Sequence, residues 1–519
     1  MKKLLLIPLA IILVAGMCFT GCGEAMPEPG SVLRVSMPTF AYESFDPIDG
    51  ESFFGWSMYD PILTWDEDVN FVPALAESFT ISEDGLTWTF DVRDDVFFHN
   101  GDLVTSADLM FSVEHMQSPE SWNPWSPYLS YNFDTMYCPD EDTFIYKTLT
   151  PEIPLAMCFC ATRVLPKDYI EENGWDYFDE HPIGSGPWIF EEFVSGDYIK
   201  MTANTDHWRN VPDFETLIQY VVPEEATQVA MLERGEVDII TGISLDRALE
   251  MQEGGWRLQP AGVPTGVMIT FPGTFFEESG PMYYIEFRDA LAYAIDYEEL
   301  CETFFHGFAE PGGQWFMWQK SWGWGDDWEP ETYDLAQAQS LLDSINYPEA
   351  FDDPVVDIWV QLGTAYTDDL MLILQGYWAD AGIQTEIHLV DPFEWAGMYF
   401  VPHYDDPTFP NIGAIFPWVY PDAWANNVYH SFNMYCGGVH TCSQDPQAIA
   451  LYDKAVHEPD PDLCEQYWTE FMEYAISLRV TLGVALVWDQ MIVDDDVVGE
   501  FGWGNWMTIA DAYADIQAR

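Results

Sequence analysis

Cations are scarce in this chain. Its 519 residues carry 17 lysines and arginines against 88 aspartates and glutamates, a formal charge of −71. A surface of that sign repels nucleic acid and anionic lipid headgroups, so neither is a partner held by charge. The short motifs of familiar enzyme chemistry are missing too: G-x-S-x-G, H-E-x-x-H, the phosphate-binding loop and the dinucleotide fingerprint. The ten histidines include no i, i+4 ligand pair. "GSG" in "HPIGSGPWIF" is too short to cradle a phosphate, and Pro187 follows it where a helix would have to open. Acids are so abundant that a pair of carboxylates says nothing about catalysis. No internal repeat, coiled coil or low-complexity block interrupts the chain. Neither an enzymatic activity nor a cofactor is expected.

Long apolar runs are also absent. The one near the start, from Leu4 to about Val14, is too short for a comfortable membrane span. With Lys2 and Lys3 before it and small residues after it, "MKKLLLIPLAIILVAGMCFTGC" reads as a secretory signal peptide over 1–21. "FTGC" resembles a bacterial lipobox, although Phe19 stands where leucine is usual; the resemblance implies cleavage before Cys22 and lipidation of that cysteine. Residues 22–30, ending "GEAMPEPG", form a short tether. Cleavage removes two lysines and no acid, so the mature chain is two charges more negative still. Contact with the membrane is therefore expected through the lipid alone, with the protein extracytoplasmic, either periplasmic or at the cell surface. A saline habitat and an acidic one would each relieve the self-repulsion.

With Cys18 removed and Cys22 lipidated, seven of nine cysteines remain. Cys436 and Cys442 in "CGGVHTC" are spaced for a small disulfide loop in an oxidising compartment. His440 between them fits no standard zinc spacing, and no metal ligand set is assigned. Cys158 and Cys160, two apart, are expected on one face of an extended core segment.

What is present is a large apolar fraction, 48%, enough for a substantial core in two to four domains. "SVLRVSMP" alternates as a strand. "LTWTFDVRDDVFFHNG" alternates again after the turn signal "SEDG", with His99 as a turn residue closing the hairpin. "TSADLMFSVEHMQ" opens a helix with Thr105 or Ser106 as cap and Asp108 in its first turn. "EEATQVAMLERGEVDII" reads as helix, Gly235 stop and buried strand. "EFRDALAYAIDYEELCETFF" reads as one amphipathic helix, on which Arg288 can pair with a neighbouring acid. "VVDIWVQL", "DDLMLILQGYWADAG" and "IQTEIHLV" spell strand, helix and strand, a βαβ crossover with Gly382 ending the helix. Strands alternating with helices argue an α/β architecture.

Read in order, these segments resemble the family 5 extracellular solute-binding proteins, receptors of peptide, nickel and oligosaccharide ABC importers. Phe71 to Val113 matches the family's block of proline, short helix, D-G turn, aromatic hairpin, F-H-x-G turn and T-A-x-D helix start. "PIGSGPWIFEEF", "NTDHWRNVPDFETLIQYVV", "LERGEVDII", "FRDALAYAIDYEEL" and "WADAGIQTEI" follow in the family's order, so the likeness spans 31–519. The resemblance implies a two-lobed periplasmic-binding-protein fold of type II with a small subdomain inserted in lobe I. Lobe I would comprise 31–74, 182–264 and 489–519, the subdomain 75–181, and lobe II 265–488. The lobes of a monomer would close on a small solute, and the closed form would dock on permease subunits.

"FPWVYPDAWANN" falls where the family carries W-x-x-D-Y-x-D-P-x-x-F. In peptide-binding members the aspartate before the tyrosine pairs with the peptide's α-ammonium; here that position is Val419, and Asp422 matches the second acid. Dipeptide receptors place an arginine in or after the strand corresponding to "DIWVQLGTAYTDD", and none stands here. Asp422 is thus the leading polar contact, with the alternative that it caps the helix start after it. Trp418, Tyr420 and Trp424 serve as stacking and shape elements, and Tyr42, Trp359 and Tyr366 complete the candidate ligand-binding set. Peptide-like cargo is expected from the family. Oligosaccharide, or a nickel or metallophore complex using His403, His430 or His440, is the alternative. A secreted glycosidase is the alternative of another class, since acids and tryptophans line such clefts too.

Overall fold

The computed structural model describes residues 31–40, 43–48, 53–66, 71–118, 121, 123, 126–262, 264–272, 274, 277–312, 323–325, 328, 332–399, 413–421, 445–502 and 513–519. Two sheets carry the two lobes, one mixed and one antiparallel. The first has seven strands in the order Arg257–Pro260, Gln490–Val493, Ile239–Ile240, Val32–Met37, Thr216–Val221, Tyr198–Ala203 and Trp188–Val194. Val32–Met37 runs parallel to both its neighbours, with Val35 opposite Ile239 and Gln219, while the outer pairs are antiparallel. The second sheet centres on Thr265–Thr270 between Phe416–Pro421 and Thr481–Val487, with Ala309–Pro311 at one edge. All residues of Thr265–Thr270 and Thr481–Val487 are buried, so these strands are covered on both faces and show no alternation in sequence.

The crossover is present as read. Val356–Gln361 and Thr385–Val390 pair in parallel through the helix Thr367–Ala381, which Gly382 ends in the left-handed conformation at φ 96°. A parallel bridge from Ile358 to Ile415 joins this pair to the second sheet. Other readings need correction. "EFRDALAYAIDYEELCETFF" forms two helices, Ile285–Tyr293 and Tyr297–Thr303, because the Asp296 side chain accepts from Glu299 N and caps the second. Arg288 makes no ion pair on its helix. Buried at 4% exposure, its guanidinium donates to the carbonyls of Met282, Tyr283, Leu478 and Arg479, which satisfies a fork that water cannot reach. Cys158 and Cys160 are core residues, but in the helix Ala156–Ala161 rather than an extended segment; all six residues there are buried, so spacing carries no signal.

The inserted subdomain is an antiparallel sheet ordered Ala76–Ile81, Thr87–Val92, Thr143–Thr148 and Phe133–Asp140. Phe90 meets Phe159 at 4.7 Å in its core. Thr105 stands at the N-cap of the helix Ser106–Met116, and its N and Oγ1 donate to the Asp108 carboxylate at 2.8 and 2.7 Å. His99 is more than a local turn residue: Gly184 N donates to its Nδ1, and Nε2 lies 3.0 Å from Gly186 O, tying the hairpin to lobe I. Glycine is required at both partners, since a Cβ would lie 2.0 Å from Met58 O at Gly184 and 2.6 Å from Met58 C at Gly186. Nearby, buried Asp60 accepts from Ser185 Oγ and Trp208 Nε1 and faces His207 Nε2. Burial alone would raise this carboxyl; the His207 hydrogen bond and charge, Arg209 and Trp208 outweigh it and hold it at about 2.

The helices Pro446–Val456 and Pro461–Ser477 set Tyr452, Trp468 and Phe471 into the core that also holds Trp88, Tyr128 and Phe159 of the subdomain. Lobe II residues Val267, Ile269, Leu291, Ile358 and Trp378 form a second core. No helix among the described residues is long and apolar enough to cross a membrane.

Candidate functional site

The chain passes between the sheets twice, from Pro260 to Thr265 and from Val487 to Gln490. Asp489 lies in the second crossing and binds the first. Its carbonyl accepts from Ala261 N at 2.8 Å, and its Oδ2 accepts from Thr265 Oγ1 at 2.6 Å. The other oxygen, Oδ1, accepts from the Tyr366 hydroxyl at 2.5 Å. Tyr366 stands in the left-handed region at φ 67°, directly before the helix Thr367–Ala381 and after the carboxyl end of Val356–Gln361. A non-glycine residue held there is strained backbone that its surroundings must fix. Phe305 supplies part of that hold, edge-on to the Tyr366 ring at 5.6 Å. Burial and then the Asp489 carboxylate push the phenol well above its ordinary range, so it remains a donor.

Clefts in α/β sheets open beyond the carboxyl ends of parallel strands. In lobe II that end leads to Tyr366, and in lobe I the ends of Val32–Met37 and Ile239–Ile240 lead to Pro38 and Gly242. Those two approach so closely that a Cβ on Gly242 would lie 2.7 Å from the proline ring.

Of the candidate ligand residues, Tyr366 is therefore at the interlobe crossing. Trp359 and Trp418 are brought together elsewhere, around Trp395: its ring lies 4.8 Å from Trp418 and its Nε1 donates to Trp359 O at 3.1 Å. Val419 sits opposite Val267 and packs half-buried against the lobe II core, while Trp418 turns to the small cluster of Trp395, Met398 and Phe416. The backbone of Tyr420 pairs with Gly266. Tyr42, Asp422 and Trp424 lie outside the described residues, as do Cys22, Cys436, Cys442, His403, His430 and His440. Trp324 and Trp328 are half-buried and meet at 5.2 Å.

Sequence reasoning missed Asp489 and Thr265. "VWDQM" marks a buried strand followed by one acid, and among 88 acids that signal is lost. The described cations of lobe II are engaged: Arg288 on carbonyls, Arg479 with Asp289 at 2.9 Å, and Lys454 with Glu470 at 2.7 Å. The one group of three metal-type ligands among the described residues is Asp357, Glu386 and His388, on the paired strands of the crossover.

A curated relative from Brucella ovis, named a "putative ABC transporter peptide-binding protein", is 23% identical over 372 residues, covering 67% of this chain and 66% of its own length. The matched region is thus just under two thirds of that relative. NikA from Brucella suis, solved with Fe(III)-EDTA, superposes with a TM-score of 0.81 at 18% identity, covering 94% of this chain and 100% of its own. DppA from Helicobacter pylori, solved with the peptide STSA, gives 0.75 at 20%, covering 94% and 98%. These likenesses establish the two-lobed type II periplasmic-binding fold. The family model for bacterial extracellular solute-binding proteins, family 5, matches residues 70–448, and the chain belongs to that family.

Proposed function

We propose that this protein is the lipid-anchored receptor of an ABC importer, not an enzyme. Anchored outside the cytoplasm through Cys22, it captures a small solute between its lobes and delivers it, as a monomer, to permease subunits. The observation that carries this reading is the Asp489 junction. One carboxylate ties both interlobe crossings and a lobe II tyrosine, the arrangement through which hinge closure would act on both lobes at once.

Peptide-like cargo is favoured by the family. The described lobe II cations support a narrower reading, because Arg288, Arg479 and Lys454 are committed to protein partners. A cargo carboxylate would lack a guanidinium clamp there, so the preferred solute is neutral or cationic. Its contacts would come from Asp422, Tyr42, Tyr420 and Trp424 together with Tyr366 at the interlobe crossing, while Trp418 is turned into the Trp395 cluster. Neutral oligosaccharide is the second reading, favoured by the same commitment of the described lobe II cations and by the aromatic content.

A thermal-shift screen of the mature protein, made without its lipid, tests this against short peptides, oligosaccharides and chelated nickel. A ligand at about one hundred times its Kd adds about 2.7 kcal/mol to the folded state. Peptides are expected to raise the melting temperature, with free-acid and C-terminally amidated forms acting alike. A strong preference for the free acid would overturn the cargo reading. Failure of all three classes would overturn the receptor reading.

A further inference from the structure

We propose that Asp357, Glu386 and His388 form a binding site for a first-row divalent transition-metal ion on the crossover of lobe II, separate from the cargo cleft. Asp357 and Glu386 are register partners on adjacent parallel strands, and His388 follows two residues after Glu386, on the same face. The ligand atoms of all three lie within 4.8 Å of one another. His388 Nε2 lies 2.7 Å from Asp357 Oδ1. The imidazole is fixed in that direction by Trp359, whose ring stacks on it at 4.4 Å and 19°.

Charge strengthens the case. Two carboxylates facing each other ordinarily draw a lysine or arginine, yet among the described residues none pairs with Asp357 or Glu386. With 17 cations for 88 acids, the chain has few of its own to spend on such a pair. One nitrogen and two carboxylate oxygens suit a borderline ion such as Zn²⁺ or Ni²⁺ better than Mg²⁺ or Ca²⁺, which prefer oxygen alone. Metal–ligand bonds of about 2.0–2.2 Å place nitrogen and oxygen about 3.0–3.4 Å apart. Asp357 need therefore move by only about half an ångström from its present contact, and its side chain is 48% exposed, free to do so. Three protein ligands leave the remaining positions to water.

The site lies at the start of Val356–Gln361, whereas the cleft side of that strand is its far end, leading to Tyr366. The proposal is therefore independent of the cargo. Its test is calorimetric titration of the metal-stripped mature protein with NiCl₂ and ZnCl₂ in high salt, which suppresses diffuse attraction to the acidic surface. Wild type is expected to show one saturable site. His388→Ala and Glu386→Gln should each weaken it by at least about ten-fold, while circular dichroism and melting temperature stay near wild type. Trp359 fluorescence gives a second reading: Ni²⁺ at His388 should quench a component that His388→Ala does not lose. Absence of saturable binding, or binding that both variants leave unchanged, would overturn the site.

Discussion

The Tyr366 hydroxyl donates to the Asp489 carboxylate at 2.5 Å, joining the start of a lobe II helix to the crossing between lobes. Tyr366 stands in the candidate ligand set and Asp489 is one acid among many, yet together they organise the passage between the two sheets. Tyr366→Phe keeps the ring and removes the donor. A hydrogen bond to a charged group contributes about 1.5–3 kcal/mol, and that loss is expected in urea unfolding. Thr265→Val, which removes the bond to the other oxygen, should act in the same direction. The double variant should be non-additive, because both residues share one carboxylate.

Glu152 makes stability depend on pH in a stated direction. It is buried within the subdomain, where Tyr131 and the Asn132 amide donate to it. Burial pushes its carboxyl up to about 7 against those hydrogen bonds. The folded chain therefore holds this proton where the unfolded chain has released it. The contribution is complete below the ordinary glutamate value and is lost as pH rises through about 7. Across that window it amounts to about 3 kcal/mol. His99, lowered to about 4 by burial, acts oppositely, losing its contribution as pH falls through that value. Comparing Glu152→Gln with wild type removes the histidine term. The variant is expected to lose the part of the stability slope between pH 4.5 and 7 that Glu152 supplies. Parallel profiles would contradict the assignment.

Gly85 turns the first hairpin of the subdomain at φ 72°, and a Cβ there would lie 2.6 Å from Pro151 and 2.9 Å from Pro459. The second proline precedes the helix Pro461–Ser477, so the hairpin tip abuts a segment remote in sequence. Gly85→Ala combines a left-handed backbone with overpacking and should cost about 1–3 kcal/mol in chemical denaturation. An unchanged midpoint would show that the contact yields freely.

Much of this fold was legible because its signals are local. The βαβ crossover announced itself through an apolar strand, a helical period and Gly382, and the capped helix through Thr105 and Asp108. Readings failed where tertiary context decided. Asp296 split a continuous helical pattern by capping Glu299 N, and burial of all six residues of Ala156–Ala161 erased the period that would have distinguished helix from strand. Arg288 looked like a helix-surface cation, but its partners are carbonyls up to 191 residues away. The candidate site was the least legible part. Trp359 and Trp418 meet through Trp395, which no spacing indicates, and Asp489 is one acid among many.

Native mass spectrometry of the mature, lipid-free protein, before and after mild denaturation, asks whether the chain holds a solute. A non-covalent adduct of small-molecule mass is expected, released on unfolding and bound again by the refolded chain. A released peptide or sugar would also name the cargo class. A folded protein at the bare mass of the chain, taking up no peptide, sugar or chelate supplied in excess, would contradict the assignment as a solute receptor.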